Sequence, residues 1–277
     1  MGNSDAKREL PPVPEPLPTP LVDAHTHMDA CGAEGAGDVR AMVDRAERGG
    51  VGRVVTVADD LDAARWAVRA ADWDERVFAA VALHPTRAKD LGEAEREVLA
   101  GLVEHPRVVA VGETGLDYFW DRTEPAAQQE HFRRHIALAK RAGKPLMIHD
   151  RDAHADVLRI LREEGAPDRV VFHAFSGDAA MARECAASGY VLSFPGVITF
   201  KNAPALRAAA AATPLAQVLV ETDAPFLTPH PLRGRPNAPH LLPLTVRGLA
   251  AAGGHDLDEV CATIRATGAR IFGLPTG

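Results

Sequence analysis

The stretch Leu21-Val22-Asp23-Ala24-His25-Thr26-His27 is the first apolar run of the chain, and it ends in two histidines. In a β-strand, alternate residues point to the same face, so the imidazoles of His25 and His27 point in the same direction. Two imidazoles placed in this way can bind one metal ion. Histidines in strands often only satisfy hydrogen bonds in a core, so the pair by itself is weak evidence. Whether this pair binds a metal ion therefore depends on which other ligands the chain contains.

This run is the first of eight short apolar runs that alternate with Ala-, Arg- and Glu-rich segments of helical spacing. The runs lack strict polar–apolar alternation, as expected for parallel strands that are covered on both faces. They span residues 21–25, 52–58, 77–83, 107–112, 145–149, 169–173, 190–194 and 217–222. Eight strand–helix units in about 250 residues predict an α/β fold, a single (β/α)8 TIM barrel. A doubly wound open sheet is the alternative, but no Gly-x-Gly-x-x-Gly turn follows the first run.

The first 20 residues differ in composition from the rest of the chain. Prolines stand at positions 11, 12, 14, 16, 18 and 20. Closely spaced prolines disfavour both helices and sheet ladders, so the sequence predicts a short, disordered and flexible tail over residues 1–20. The barrel domain is predicted over residues 21–277.

Composition excludes several classes of protein. A hydrophobic content of 46% and a charged content of 25% are those of a soluble globular protein, and no apolar run is long enough to span a bilayer. The net charge of −7 argues against a broad basic surface for nucleic acid, although it permits a local basic cleft. The N-terminus has no secretory signal, and the cysteines are few and scattered, so we expect a cytoplasmic protein. These cysteines are Cys31, Cys185 and Cys261.

Six candidate metal ligands lie at the ends of the apolar runs. They are His25 and His27 at the end of the first run, Glu113 at the end of the fourth, His149 in the fifth, His173 in the sixth and Asp223 after the eighth. The parallel strands of a barrel all end at the same rim, where active sites are built. Four imidazoles and two carboxylates from distant parts of the sequence are therefore expected around one opening.

The ligand types predict the chemistry of this opening. Mixed imidazole and carboxylate ligands suit Zn²⁺, Mn²⁺, Fe²⁺ or Co²⁺. Six side chains are too many for one tetrahedral ion, and a carboxylate can bridge two ions about 3.5–4 Å apart. Glu113 is the predicted bridge because it lies between the two histidine groups in strand order. Asp223 is predicted to bind the first ion and to accept the proton of the attacking water, so Glu113 and Asp223 are the candidate catalytic residues.

Several short motifs lie in order along residues 21–272. They are Val22–Asp29 (VDAHTHMD), Ala82–Pro85 (ALHP), Val111–Tyr118 (VGETGLDY), Met147–Ala153 (MIHDRDA), Phe172–Gly177 (FHAFSG), Glu221–Leu227 (ETDAPFL) and Arg233–Pro239 (RGRPNAP). In order and spacing, this set resembles the TatD-type metal-dependent deoxyribonucleases of the amidohydrolase superfamily. The sequence departs from that family at Thr86, where a histidine is frequent, and at Ala174, where a cysteine is frequent. Neither position is a ligand in this interpretation.

The resemblance implies a TIM barrel with two divalent ions that hydrolyses DNA phosphodiester bonds from an end. The sequence does not decide whether the ions are Zn²⁺, Mn²⁺ or Mg²⁺. By matched positions, one ion is held by His25, His27 and Asp223 and the other by His149 and His173, with Glu113 between them.

Substrate contacts are expected around the ions. His84 matches a family histidine near the substrate phosphate, and three arginines on rim loops are candidates for binding phosphates: Arg151, Arg233 and Arg235. Asp29 and Asp117 lie just beyond ligand positions and are candidates for orienting the imidazoles. The sequence leaves open whether the aromatic run Tyr118–Trp120 stacks on a terminal base or packs over the following helix.

Three functions are consistent with the sequence. The first is a two-metal TatD-like deoxyribonuclease that acts on single-stranded or frayed DNA ends, without a membrane or an obligate protein partner. The second is a metal-dependent ester or amide hydrolase, such as a D-aminoacyl-tRNA deacylase, which would use the same ligands on an acyl carbon. The third is a catalytically inactive barrel that serves as a binding scaffold, although the presence of all six ligands argues against it. Barrels host many chemistries, so the fold alone does not distinguish the three.

Overall fold

The computed structural model describes residues 9–90 and 92–274, and within these ranges eight parallel strands follow one another around a barrel. The strands are β1 (Leu21–Thr26), β2 (Val51–Val57), β3 (Val77–Ala80), β4 (Val108–Asp117), β5 (Leu146–Arg151), β6 (Val170–Phe172), β7 (Val191–Phe194) and β8 (Val218–Val220). Each strand pairs with the next one in sequence. Just beyond β8, the Asp223 amide donates to the His25 carbonyl at 2.9 Å and the His27 amide donates to the Ala224 carbonyl at 2.8 Å, so main-chain bonds join β1 to the last strand. The predicted TIM barrel is confirmed.

Helices connect the strands and cover the outside of the barrel. They are α1 (Ala36–Glu47), α2 (Leu61–Trp73), α3 (Glu93–Val103), α4 (Pro125–Ala142), α5 (His154–Glu164), α6 (Ala179–Ala187), α7 (Pro204–Ala212), α8 (Leu242–Gly253) and α9 (Leu257–Phe272). Aspartates cap the N-termini of two of these helices. The Asp60 side chain accepts the Ala63 amide at the start of α2, and Asp178 caps α6 in the same way. Within the described ranges, no helix combines the length and the apolar character that crossing a membrane requires.

Strand β4 runs farther than the sequence predicted. Glu113 was expected to end the fourth strand, but it lies inside β4, because pairing with β5 continues for four residues beyond it. Gly115 permits this continuation. Its φ is +134°, and a Cβ atom at this position would lie 2.1 Å from the carbonyl oxygen of His149. The apolar pattern did not show this extension, because Glu113, Thr114 and Gly115 interrupt it before Leu116.

The first described residues form a strap, Glu9–Pro20, that lies against the outside of the barrel. Leu17 is buried and its amide donates to the Gly49 carbonyl at 3.0 Å. The Pro11 carbonyl accepts hydrogen bonds from Arg45 at 2.7 Å and from His240 at 2.9 Å. This packing corrects the prediction of a flexible tail for residues 9–20, whereas residues 1–8 of that tail lie outside the described residues. A proline-rich segment has carbonyl oxygens without partners of their own, and polar side chains of the barrel satisfy them here.

We expect Leu17→Ala to lower the free energy of unfolding by about 2–3 kcal/mol, because it opens a cavity under the strap. Denaturant unfolding of the full chain measures this change. Glu15→Gln is the matched control, since the Glu15 side chain is 85% exposed and makes only a 3.5 Å ion pair with Arg247. Equal stability of the two variants would mean that the Leu17 side chain does not pack against the barrel.

A buried histidine links α4 to the barrel and makes the fold sensitive to acid. The His135 Nδ1 atom lies 2.7 Å from the Thr114 hydroxyl. Burial lowers the pKa of His135 to about 3, whereas the unfolded chain titrates near 6.5. The unfolded state therefore binds more protons below pH 6.5. The stability that depends on neutral His135 is fully present above pH 6.5 and is lost as the pH falls toward 3.

We expect His135→Gln to flatten the acid side of the stability profile. Between pH 6.5 and 4, the wild-type chain should lose up to about 1.4 kcal/mol per pH unit more than the variant, because glutamine accepts no proton there. Denaturant unfolding at a series of pH values gives both profiles. Parallel profiles would show that His135 is not buried as a neutral group.

Candidate metal centre

The barrel brings the six predicted ligands together at the carboxyl ends of its strands. His25, Glu113 and His149 lie in β1, β4 and β5, whereas His27, His173 and Asp223 lie one to three residues after β1, β6 and β8. All of them are buried except His149, which is partly exposed. The structure therefore places in one site residues that are almost 200 positions apart in the sequence.

The Glu113 carboxylate lies at the middle of this site. On one side, its Oε1 atom lies 3.9 Å from the Nε2 atom of His25 and 3.6 Å from that of His27. The two Nε2 atoms are 3.2 Å apart. The Asp223 Oδ1 atom completes this group, at 3.7 Å from His25 and 3.6 Å from His27.

The second oxygen of Glu113 faces a different pair of imidazoles. Its Oε2 atom lies 2.7 Å from the Nε2 atom of His173 and 3.3 Å from the Nδ1 atom of His149. These two nitrogens are 3.3 Å apart. One carboxylate thus has one oxygen in each of two ligand groups.

These distances fit metal ligation. Two ligand atoms that each lie about 2.0–2.1 Å from one tetrahedral ion are about 3.3 Å apart. Among the described residues, four triads have all their ligand atoms within 4.8 Å of one another, and two of them share Glu113: His25, His27 and Glu113, and Glu113, His149 and His173. The nitrogen and carboxylate donors are those that divalent transition metals prefer. The residues present therefore fit a metal centre.

The outer nitrogens of two imidazoles are fixed by hydrogen bonds. The Nδ1 atom of His27 donates to the Val57 carbonyl at 3.0 Å, which leaves Nε2 facing the centre. The Nε2 atom of His149 lies 3.0 Å from the Oδ2 atom of Asp117, which leaves Nδ1 facing the centre. A carboxylate behind a histidine fixes the ring orientation and strengthens it as a ligand. Asp117 thus makes the contact that the predicted orienting role requires, whereas Asp29 makes no hydrogen bond to a histidine within residues 9–90 and 92–274.

Two buried carboxylates behind the ligands were not singled out from the sequence. Glu221 is fully buried, accepts the amide of Ala174 at 2.6 Å, and has its Oε1 atom 3.5 Å from the Nδ1 atom of His173. Asp23 accepts the amide and the hydroxyl of Thr222, the residue before Asp223. Burial raises the pKa of Asp23 to about 8. Asp23 precedes His25 by two positions and therefore shares its strand face, a signal that could have identified it.

The electrostatics of the centre favour positive charge beside its carboxylates. Burial lowers the pKa of His27, but the neighbouring Asp223 and Glu113 outweigh this effect and raise it to about 9. The pKa of His173 is also raised well above its ordinary value, because Glu113 outweighs the effect of burial. The charges of the surrounding imidazoles hold the pKa of Glu113 well below its usual range, although burial opposes them. A bound cation would satisfy the same demand for positive charge.

His84 lies at the edge of the centre and presents a hydrogen-bond donor. Its ring centroid is 4.4 Å from that of His149. The Thr86 amide donates to its Nδ1 atom at 3.2 Å, so the ring proton of neutral His84 is on Nε2. Burial lowers the pKa of His84 to about 4, which keeps the ring neutral near pH 7. Thr86, the departure noted in the sequence, therefore fixes the tautomer of His84.

The three candidate phosphate-binding arginines have different surroundings. The guanidinium of Arg151, at the end of β5, lies 3.9 Å from the ring centroid of Phe119. That of Arg233 lies over the Phe200 ring at 4.1 Å, and Arg233 is exposed. Arg235 donates from Nη2 to the Glu9 carbonyl of the strap at 3.0 Å. Arg151 is the one of the three on a strand that carries a candidate ligand.

Comparison with known proteins agrees with the geometry. The family described as TatD related DNase matches residues 22–273. The chain is 56% identical over 259 residues to an uncharacterized metal-dependent hydrolase, TatD, of Mycobacterium tuberculosis, covering 92% of this chain and 98% of the relative. It is 37% identical over 254 residues to an uncharacterized metal-dependent hydrolase, YabD, of Bacillus subtilis, covering 91% of this chain and 98% of the relative. The crystal structure of YJJV, a TatD homologue from Escherichia coli, superposes with a TM-score of 0.86 at 30% identity and covers 92% of this chain and 98% of that one.

We expect Asp117→Asn to weaken metal binding by about 10- to 100-fold, because it removes the charge behind His149 while an acceptor oxygen remains. Isothermal titration of the chelator-stripped full chain with Zn²⁺ or Mn²⁺ measures this effect. Asp29→Asn is the matched control and should bind like the wild type. If both variants bind like the wild type, His149 is not a ligand held by Asp117.

Proposed function

We propose that this chain, which belongs to the family of TatD-related DNases and is a metal-dependent hydrolase, cleaves DNA phosphodiester bonds from an end. The observation that carries the proposal is the position of Glu113, whose two oxygens face two separate ligand groups. This arrangement suits two divalent ions bridged by one carboxylate. The Oε1 group would be completed by His25, His27 and Asp223, and the Oε2 group by His149 and His173.

The ligand set suits hydrolysis of a phosphodiester. Divalent ions bound there would polarise the phosphoryl oxygens and lower the pKa of water. Asp223 would accept the proton of the attacking water, because its carboxylate is at the edge of the centre and its side chain is 12% exposed. His84 would donate from Nε2 to a phosphoryl oxygen, where a neutral donor stabilises the developing charge. Glu113 would hold the Oε1 group and the Oε2 group at a fixed separation.

Positive side chains near the centre support an anionic substrate. Arg151, two residues after His149 at the end of β5, would bind a phosphate of the strand, and Arg233 and Arg235 would supply charge from the loop after β8. The net charge of −7 makes such local charge important for binding DNA. We propose single-stranded or frayed DNA ends as the substrate, in the cytoplasm and without a membrane or an obligate protein partner.

The decisive experiment compares substrates on the same metal-loaded protein. We expect an end-labelled single-stranded DNA to be shortened from an end in the presence of Zn²⁺, Mn²⁺ or Mg²⁺ and to remain intact in strong chelator. Hydrolysis of a D-aminoacyl-tRNA with intact DNA would favour the ester hydrolase instead. Metal binding without hydrolysis of either substrate would favour the scaffold.

We expect Glu113→Gln to lower kcat on this DNA by about 10³-fold or more, which borrows the magnitude for losing a major electrostatic stabiliser. The variant should also bind less metal per chain than the wild type, for which elemental analysis should give about two ions. Glu97→Gln, an exposed carboxylate on α3, is the matched control and should change neither quantity. Full metal content and activity in Glu113→Gln would contradict the role of Glu113 as a bridge.

A further inference from the structure

Three large aromatic side chains are exposed at the rim that carries the metal centre. Phe119, Trp120 and Phe226 are 51%, 44% and 57% exposed. Phe119 and Trp120 follow the end of β4, and Phe226 lies on the loop after β8. Parallel strands end at the same rim, so all three are on the side of the barrel where the substrate binds. Their exposure is not explained by packing.

One carboxylate ties the first two aromatics to the centre. The Oδ1 atom of Asp117 accepts the amides of Phe119 and Trp120, both at 3.0 Å. Its Oδ2 atom lies 3.0 Å from the Nε2 atom of His149. The backbone that carries the two exposed rings is thereby held at a fixed position relative to a candidate ligand. Tyr118 differs, because its hydroxyl donates to Asp156 at 2.8 Å and its ring packs against the core.

Cations lie over this aromatic pair. The Arg151 guanidinium is 3.9 Å from the Phe119 ring centroid and 5.9 Å from that of Trp120. Arg122 lies 5.0 Å from the Trp120 ring on the same loop. Phe119, Trp120 and Arg151 therefore form a surface of two exposed rings, with planes at 89° and a guanidinium stacked on one face of Phe119, which we call the β4 platform. Such surfaces bind bases by stacking and the adjacent phosphates by charge.

Phe226 lies on the other side of the centre. Its ring centroid is 6.0 Å from that of His27, with the planes at 74°. His27 belongs to the group around Oε1 of Glu113, whereas His149, next to the β4 platform, belongs to the group around Oε2. The rim therefore presents an apolar surface, then the polar metal centre, then a second apolar surface.

We propose that Phe226 and the β4 platform bind the two unpaired bases that flank the phosphodiester at the metal centre. The proposal rests on the phosphodiesterase function proposed above. The surface alternates in the same way as a nucleic acid strand, in which a charged phosphate separates two flat, stackable bases. A protein or lipid partner would instead need a continuous apolar patch. Stacking requires the faces of the bases, which neighbouring base pairs cover in a duplex, so the platform selects single strands with little preference for base identity.

Tryptophan fluorescence tests binding directly. The metal-loaded chain is titrated with a phosphorothioate-linked single-stranded oligonucleotide, which resists hydrolysis, and with an abasic oligomer of the same length and linkage. We expect saturable quenching by the oligonucleotide and none by the abasic oligomer. Trp120→Phe should abolish the quenching, whereas Trp66→Phe, on the distant helix α2, should retain it. Equal quenching by both oligomers, or quenching that survives Trp120→Phe, would overturn the proposal.

Kinetics on cleavable versions of the same two oligomers provide the second test. We expect the wild type to prefer the base-containing strand, and Phe119→Ala, Trp120→Ala and Phe226→Ala each to lower kcat/KM on it by about 5- to 100-fold. The loss on the abasic strand should be several-fold smaller, because no base is present to stack. Val98→Ala, an exposed apolar residue on α3, is the matched control and should alter neither rate.

The two proposals fail in different ways. Cleavage of both oligomers at equal rates by the wild type would overturn the base-binding proposal and leave the phosphodiesterase intact. Quenching without cleavage of either oligomer would overturn the phosphodiesterase and leave base binding by the β4 platform supported.

Discussion

The burial of the Glu113 carboxylate among imidazoles is the interaction on which the rest of this structure depends. A buried and unpaired carboxylate costs several kcal/mol, so a barrel with Glu113 inside β4 is stable only if positive charge surrounds it. The structure supplies that charge from both sides, since His27 and His173 lie 3.6 Å and 2.7 Å from its two oxygens. The same demand makes the site receptive to divalent cations. Stability and chemistry therefore arise from a single constraint, the neutralisation of one buried anion.

The supports behind the ligands show that the fold and the site depend on each other. His27 is fixed by a carbonyl of β2, and His149 by a carboxylate at the end of β4. Asp223 reaches the centre because its amide bonds to the His25 carbonyl and its neighbour Thr222 bonds to Asp23. These same bonds join the last strand to the first. A change in the closure of the barrel would move a ligand, and a change in the ligand loop would weaken the closure.

Much of the fold and of the candidate site was predictable because it depends on local pattern. All eight strands overlap the apolar runs, and the six candidate ligands converge as strand-end residues of a barrel must. Two of the expectations that differ from the structure depend on contacts between distant residues. Glu113 lies inside β4 because pairing with β5 continues through Thr114, Gly115, Leu116 and Asp117. The segment Glu9–Pro20 is extended, as its prolines dictate, but its carbonyls find donors on α1 and near α8 that composition does not reveal.

The sequence by itself determined the number and order of the strands, the identity of the candidate ligands and their membership of one rim. Periodicity and residue type carry that information, because each strand and each ligand is specified by its own short stretch of chain. The tertiary structure decided which nitrogen of each imidazole faces the centre, and it decided that Glu113 divides its two oxygens between the groups. It also decided that Tyr118 packs inward while Phe119 and Trp120 remain exposed. These features depend on partners such as Val57 and Asp156, and only the folded chain brings those partners within hydrogen-bond distance.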